Sequence, residues 1–204
     1  MNEFDLKAAG WEQNPMHRER SLAIVQAMIQ DIPLTHSMSA LEFGAGTGIA
    51  SFLLKDYVKS ILMMDSSSEM VKVMQEKITS SQVKNLQTIR FDLEKSDYTG
   101  GTFDLIFTHL VLHHIANTEA IFRSFHRLLN PGGYLAIADL YPEDGAFHGS
   151  GFNGHHGFET RMLSDKLKQL GMTNISDRLC YTIDKQVSET KTQSFGVFLL
   201  IANR

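Results

Sequence analysis

Three glycines, Gly44, Gly46 and Gly48 in "ALEFGAGTGIAS", stand between an apolar run and a segment of helical period. Glycine at such a turn lets the backbone approach a ligand closely, because no Cβ intervenes and unusual φ values cost little. That physics suits a nucleotide without selecting one. The dinucleotide fingerprint G-x-G-x-x-G, counted from Gly44, puts its third glycine at position 49, which is Ile49. No Gly-Lys-Ser/Thr follows, so the phosphate-cradling P-loop fails as well. The first Lys or Arg after the turn is Lys55. This is a poor arrangement for a pyrophosphate and a sensible one for a ligand that carries a cation.

Two carboxylates sit at the ends of the next apolar runs. Asp65 closes "SILMMD", where an acid can accept hydrogen bonds from ribose hydroxyls, and Asp92 follows "LQTIRF". If those runs are parallel strands, both acids converge on the crevice at the carboxyl edge of the sheet. Histidines form two groups: His109, His113 and His114 in "THLVLHHI", and His148, His155 and His156 in "FHGSGFNGHHG". A histidine near its ordinary pKa takes a proton at neutral pH and serves as a base where an acceptor must be deprotonated. The same residue type ligates zinc, copper, nickel or iron. However, His113 and His114 are adjacent, which makes joint ligation awkward in regular structure, and no H-E-x-x-H occurs. No metal is expected.

The elements that must position these residues follow from periodicity. Short apolar runs alternate with helix-period segments from Leu41 to Leu140, the pattern of parallel strands joined by crossover helices. The runs "SALEF", "SILMMD", "LQTIRF", "FDLIFT" and "YLAIADL" lack clean alternation, as strands buried on both faces do. "SSSEMVKVMQEKI" has serine caps and an early Glu69, with Met70, Val71, Met74 and Ile78 on one face. "TEAIFRSFHRLL" aligns Ile121, Phe122, Phe125, Leu128 and Leu129 and stops at "NPGG". Upstream, "MHRERSLAIVQAMIQDI" reads as a helix with Leu22, Val25, Ile29 and Ile32 inward. "YPEDGAFHGSGFNGHHG" has no period and reads as a functional loop, a candidate lid. A helix, "ETRMLSDKLKQL", and two strands, "ISDRLCYTI" and "FGVFLLIAN", complete the chain. The polar "DKQVSETKTQS" joins the strands, which should pair antiparallel.

The chain has 204 residues, 43% of them hydrophobic, and a formal charge of −4. One domain is expected: a helical cap over 1–36, a cofactor-binding core over 37–140, the glycine-rich loop over 141–158, and a helix with two strands over 159–204. The charge offers no cationic face for nucleic acid or an anionic membrane. The single cysteine, Cys180, excludes an internal disulfide and fits a reducing, cytoplasmic setting. No run reaches the roughly 20 apolar residues of a membrane span, and the acidic N-terminus argues against a secretory signal.

Taken together, "LEFGAGTG", "MMDSSSEM", "FDLE", "FDLIFTHLVLHHI" and "LLNPGGYLAIAD", in this order, resemble the class I S-adenosylmethionine-dependent methyltransferases, particularly their small-molecule branch. The resemblance spans residues 11 to 203. It implies a Rossmann-like, doubly wound α/β fold: a mostly parallel seven-stranded sheet with helices on both faces and an antiparallel last strand. It places the cofactor's methionine part against Gly44, Ala45, Gly46 and Gly48, with Glu42 beneath. Asp65 takes the ribose hydroxyls, and Ser66 and Met70 flank the adenosine. Asp92 accepts from the adenine amino group, and the Leu93 N–H donates to the ring. Thr108 and His109 sit near the methionine amino group and the sulfonium.

The resemblance gives His114 a packing or helix-capping role, while His113 lines the acceptor pocket. A lid would present His155 and His156 inward. His109, His113 and His156 are therefore the catalytic candidates. Asp104 has a structural place, and Asp139 either faces the pocket or caps a turn. Trp11 either closes the cleft or anchors the first helix. A small-molecule acceptor fits better than nucleic acid, since "THLV" stands where amino-directed base methylases resemble Asn/Asp-Pro-Pro-aromatic. Two other readings compete: an NAD-linked oxidoreductase, opposed by Ile49, and a cofactor-binding regulatory protein without catalysis.

Overall fold

A computed structural model describes residues 3–204 of the chain; the first two residues of the expected 1–36 cap lie outside the described residues. Seven strands form one sheet: β1 (Ser39–Phe43), β2 (Ser60–Asp65), β3 (Leu86–Arg90), β4 (Phe103–His109), β5 (Leu129–Leu140), β6 (Thr173–Ser188) and β7 (Lys191–Asn203). Their spatial order is β3-β2-β1-β4-β5-β7-β6. The first five strands run parallel, and β7 is antiparallel to both β5 and β6. The expected seven-stranded topology holds.

Helices cover both faces, as the continuous apolar strands require. On one face lie α2 (Pro15–Asp31), α3 (Ile49–Leu54) and α4 (Ser68–Ser81), burying Ile24, Met28, Leu54 and Met74 against Ile61, Leu105 and Phe107. On the other lie α5 (Thr118–Leu128) and α6 (Thr160–Gln169), burying Phe122, Phe125 and Leu167 against Leu41, Ile106 and Phe198. Alternate residues of β4, Leu105 and Phe107 against Ile106, thus serve opposite cores, which is the period of two at work. A short helix, α1 (Glu3–Lys7), and a 3-10 segment, Ala8–Gln13, precede α2.

The helix-start signals act where the residue types predict. Ser67 caps α4 by accepting the Met70 N–H at 3.2 Å. Asn117 caps α5 by accepting the Ala120 N–H at 3.0 Å, so the cap of that helix is not His114. Replacing Asn117 by alanine should cost about 1 kcal/mol in urea denaturation, because an exposed cap offers little beyond this hydrogen bond. Asp104 is structural: it accepts from the Ser39 N–H (2.8 Å) and Oγ (3.0 Å) and from the Asn130 amide (2.7 Å), tying β1, β4 and β5 at their lower ends.

Two expectations need correction. In α2 the buried face carries Arg20, Ser21, Ile24, Val25, Ala27 and Met28, whereas Leu22 is 40% exposed. The face is rotated because it includes two polar residues that apolar periodicity skips. The polar "DKQVSETKTQS" is mostly strand, with Asp184 paired to Ser194 and Gln186 to Thr192. An antiparallel ladder is held by backbone bonds, so exposed polar side chains do not end it.

Candidate active site

The sheet reverses direction of winding between β1 and β4, which both border the glycine turn. Crevices open at such switch points, outside the carboxyl ends of the strands. Here a cavity of about 910 Å³ opens, lined by Gly44, Ala45, Gly46, Asp65, Ser66, Met70, Asp92, His109 and His113 among others.

The three glycines do different work. All have positive φ, at 68°, 57° and 78°. A Cβ on Gly44 would stand 2.5 Å from Val111, and one on Gly48 would stand 2.8 Å from the Met63 sulfur; a Cβ on Gly46 would meet nothing within 4 Å. Gly44 and Gly48 therefore permit packing, while Gly46 presents bare backbone to open space. Lys77 corrects the view of the turn as free of cations. From α4 its Nζ donates to the Thr47 carbonyl at 2.9 Å, while Glu12 balances its charge at 2.5 Å. It does not line the cavity.

Asp65, at the tip of β2, accepts the Gly46 N–H and the Ser67 N–H, each at 2.8 Å. It thereby ties the turn to the start of α4, and burial raises its pKa. Each carboxylate oxygen keeps a second lone pair for a ligand. Ser67 also donates to Asp5 at 2.6 Å, docking α1 beside this acid. Asp92 lines the cavity with Lys95 at 2.6 Å and the Glu94 N–H at 3.0 Å.

Below the turn Glu42 is fully buried, and burial pushes its pKa up to about 8. One oxygen accepts from the Ser51 hydroxyl and N–H. The other has no hydrogen-bond partner among the described residues and lies 3.5 Å from His109 Nδ1. Burial, then the Arg20 charge, pushes His109 down to about 3, so its ring is neutral. Its Nε2 lies 3.2 Å from the Ser21 hydroxyl. Thr108 Oγ1 is also buried without a hydrogen-bond partner among the described residues. Leu110 follows with a φ of 53°. This is a left-handed turn costing a branched residue about 1–2 kcal/mol, and it precedes Val111, which packs on Gly44.

Glu42, Gly48, Leu93 and Thr108 lie behind the lining and do not face the cavity. His156 also stands outside it. Its Nδ1 is 3.0 Å from Glu143, and the loop folds that pair back upon itself. Its neighbour His155 contacts the Ile115 carbonyl at 3.0 Å. His113 is 2% exposed, with Nδ1 2.7 Å from Asp139, whose carboxylate also accepts the Leu140 N–H. Asp139 does not line the cavity, contrary to one of its two expected places; it holds His113 and the end of β5.

Sequence reasoning missed Arg20, Lys185 and Phe147, which also line the cavity. Arg20 is 9% exposed, its Nε has no hydrogen-bond partner among the described residues, and burial pushes its pKa down to about 10. The readable signal was an arginine and a serine interrupting the apolar face of α2. Trp11 lines the cavity too, its ring 4.3 Å from that of His17.

Residues 41–137, which contain the glycine turn, Asp65, Asp92 and the first histidine group, match the family model described as a methyltransferase domain. That stretch, a little under half of the chain, carries a methyltransferase domain similar to that of the class I S-adenosylmethionine-dependent enzymes. An uncharacterized methyltransferase of Schizosaccharomyces pombe is 29% identical over 67% of this chain and 54% of its own length. The chain therefore spans about half the length of that curated relative.

Among solved structures, a chain from the complex of the Haloferax volcanii Trm112 methyltransferase activator with a methyltransferase matches at TM-score 0.78, with 18% identity over 100% of this chain and 98% of that one. The N-methyltransferase NodS of Bradyrhizobium japonicum, bound to S-adenosyl-L-homocysteine, matches at 0.69, with 16% identity over 93% and 88%. These likenesses show the methyltransferase fold. The residues present fit the family's cofactor: bare backbone at Gly46, an acid at the end of β2, and a buried carboxyl oxygen on Glu42 with no hydrogen-bond partner among the described residues.

Proposed function

We propose that this chain transfers a methyl group to a small-molecule acceptor. S-adenosylmethionine supplies a methyl already activated on a sulfonium, so the protein must align the partners and exclude water, work that contributes about 7–11 kcal/mol in favourable cases. The observation that carries the reading is Asp65, bonded to the Gly46 N–H and exposed to the same cavity. In this reading Gly44, Ala45 and Gly46 receive the methionine part, and Glu42, beneath them, balances its ammonium. Gly48 acts through packing. Asp65 takes the ribose, Ser66 and Met70 flank the adenosine, and Asp92 and the Leu93 N–H hold the adenine. His109 borders the methionine end, with Thr108 behind it.

The acceptor occupies the part of the cavity between α2, the 141–158 loop and β6. His113, oriented by Asp139, is the base where the acceptor carries a proton; His109 is neutral and faces the same space. Phe147 and His148 line that end, which supports the loop as a lid. The division into 1–36, 37–140, 141–158 and 159–204 then separates walls, cofactor floor, cover and closing strands of one domain. A cytoplasmic setting belongs to this reading and rests on the lone Cys180. No described helix is long and apolar enough to cross a membrane.

Calorimetry with S-adenosylmethionine and S-adenosylhomocysteine tests the proposal. Both should bind while NADH does not, and silence from both at millimolar ligand would sink it. Trp11 is the only tryptophan, so its emission should change as S-adenosylhomocysteine enters. Trp11→Phe should lose that signal and keep the calorimetric binding.

A further inference from the structure

Three histidines from two segments meet at the acceptor end of the cavity. His113 and His114 lie in the 3-10 turn Leu112–His114, and His148 comes from the 141–158 loop. One ring nitrogen from each lies within 4.8 Å of the other two. The ring centroids are 4.2, 4.9 and 5.2 Å apart. A metal about 2.0–2.1 Å from each nitrogen holds those nitrogens roughly 3.4 Å apart in tetrahedral geometry. The rings thus stand a small rotation from a ligating arrangement. Adjacent histidines diverge in a strand and splay in an α-helix, but this turn brings the two rings together at 43°.

The surroundings are those of a ligand set. His113 Nδ1 is engaged by Asp139 at 2.7 Å, which leaves the lone pair on Nε2. A histidine that ligates a metal ordinarily gives its other ring nitrogen to a carboxylate, which fixes the tautomer and raises basicity. Asp139 is itself held by the Leu140 N–H at 2.8 Å. Aromatic rings enclose the group: Phe152 stacks on His148 at 3.9 Å, and Phe4 meets His114 edge-on at 5.1 Å. The three donors are all imidazoles, a set that suits borderline transition metals rather than calcium or magnesium.

We propose that His113, His114 and His148 bind one divalent transition metal, zinc by the chemistry of its donors, with Asp139 orienting His113. Three protein ligands would leave a position open, and the cavity that all three histidines line would give an acceptor access to it. It takes a lone-pair donor of the acceptor, an oxygen, sulfur or nitrogen atom. The site stands on its own residues and does not depend on the methyl-transfer reading; with the metal bound, His113 Nε2 is a ligand and no longer the base, and the metal instead lowers the pKa of the acceptor atom it holds.

The test uses the full chain without a histidine tag, stripped with a chelator and titrated with cobalt(II). A single equivalent should give visible d–d bands of tetrahedral intensity that zinc(II) abolishes. His148→Ala and His114→Ala should each weaken cobalt binding roughly 100-fold, and Asp139→Asn roughly 10- to 100-fold. His36→Ala, at an exposed histidine elsewhere, should change nothing. Thermal unfolding checks that each variant is folded; if Asp139→Asn is not, His148→Ala decides, since a loop residue carries little of the fold. Absence of saturable binding at about 100 µM cobalt, or equal binding by His148→Ala and His36→Ala, overturns the site. Cobalt binding without S-adenosylhomocysteine binding would keep the site and remove the methyl-transfer reading instead.

Discussion

Asp65→Ala is expected to weaken S-adenosylhomocysteine binding by about 3–6 kcal/mol, roughly 10²- to 10⁴-fold, because two ribose hydroxyls each lose a charge-assisted bond of about 1.5–3 kcal/mol. The same substitution orphans the Gly46 and Ser67 N–H groups, which now donate to this carboxylate at 2.8 Å. The turn should loosen, adding to the loss. Stability of the free protein should change far less than affinity, since burial already disfavours the Asp65 charge and its removal offsets part of the lost bonding. Asp65→Asn, which keeps one acceptor oxygen, should fall between. Calorimetry at neutral pH, paired with denaturant unfolding of each variant, separates the two effects. Affinity within threefold of the parent in Asp65→Ala would show that the ribose does not sit there.

The second large effect concerns a proton. Glu42 in the folded chain has a pKa pushed up from 4.5 to about 8 by burial. Between those values the folded chain holds a proton that the unfolded chain has released, so stability falls as pH rises through that window and the loss is complete above about 8. Its size is about 3–5 kcal/mol. Glu42→Gln should remove the decline. The amide oxygen can still accept from Ser51, and its NH₂ can face His109 Nδ1, which now lacks a hydrogen bond. Urea unfolding at pH 5 and pH 8 should therefore show the variant gaining on the parent at the higher pH. His109 titrates in an overlapping acid range in both proteins, so the difference between them isolates Glu42.

A positive ligand should reverse the preference at Glu42. An incoming ammonium favours the carboxylate, so binding by the parent should release a proton, and the measured enthalpy should vary with the buffer's ionisation enthalpy. Glu42→Gln should abolish that dependence. Parallel stability curves for parent and variant between pH 5 and 8 would place the proton elsewhere.

How much of this was legible depended on whether a residue's place follows from its own element. Asp65 and Asp92 were readable because strand ends and turns repeat in a fixed order in this topology, and the acid is positioned by the run before it. Arg20 and Lys185 were not, since a helix and a strand far apart in the chain bring them together and neither periodicity signals the meeting. Leu22 was misplaced because the inward face of α2 carries Arg20 and Ser21, which apolar spacing treats as outward. His156 was misplaced because a loop without period gives no direction to its side chains, and Glu143 captures it. Gly48 looked like a ligand residue, yet it lies behind the cavity and Met63 occupies the space that its missing Cβ leaves; Gly44 lines the cavity and also makes room for Val111.

The cavity is assembled from two separate regions of the chain. Its floor, from the glycine turn to Asp92, lies within residues 41–137, whereas Arg20 on α2 and Ile183 and Lys185 on the β6–β7 hairpin lie outside them. Arg178 and Asp31, 2.6 Å apart, clamp that hairpin to that helix. A change in the hairpin is therefore felt by the helix, so these two walls of the cavity form one mechanical unit whose shape can alter while the glycine turn and Asp65 stay in place.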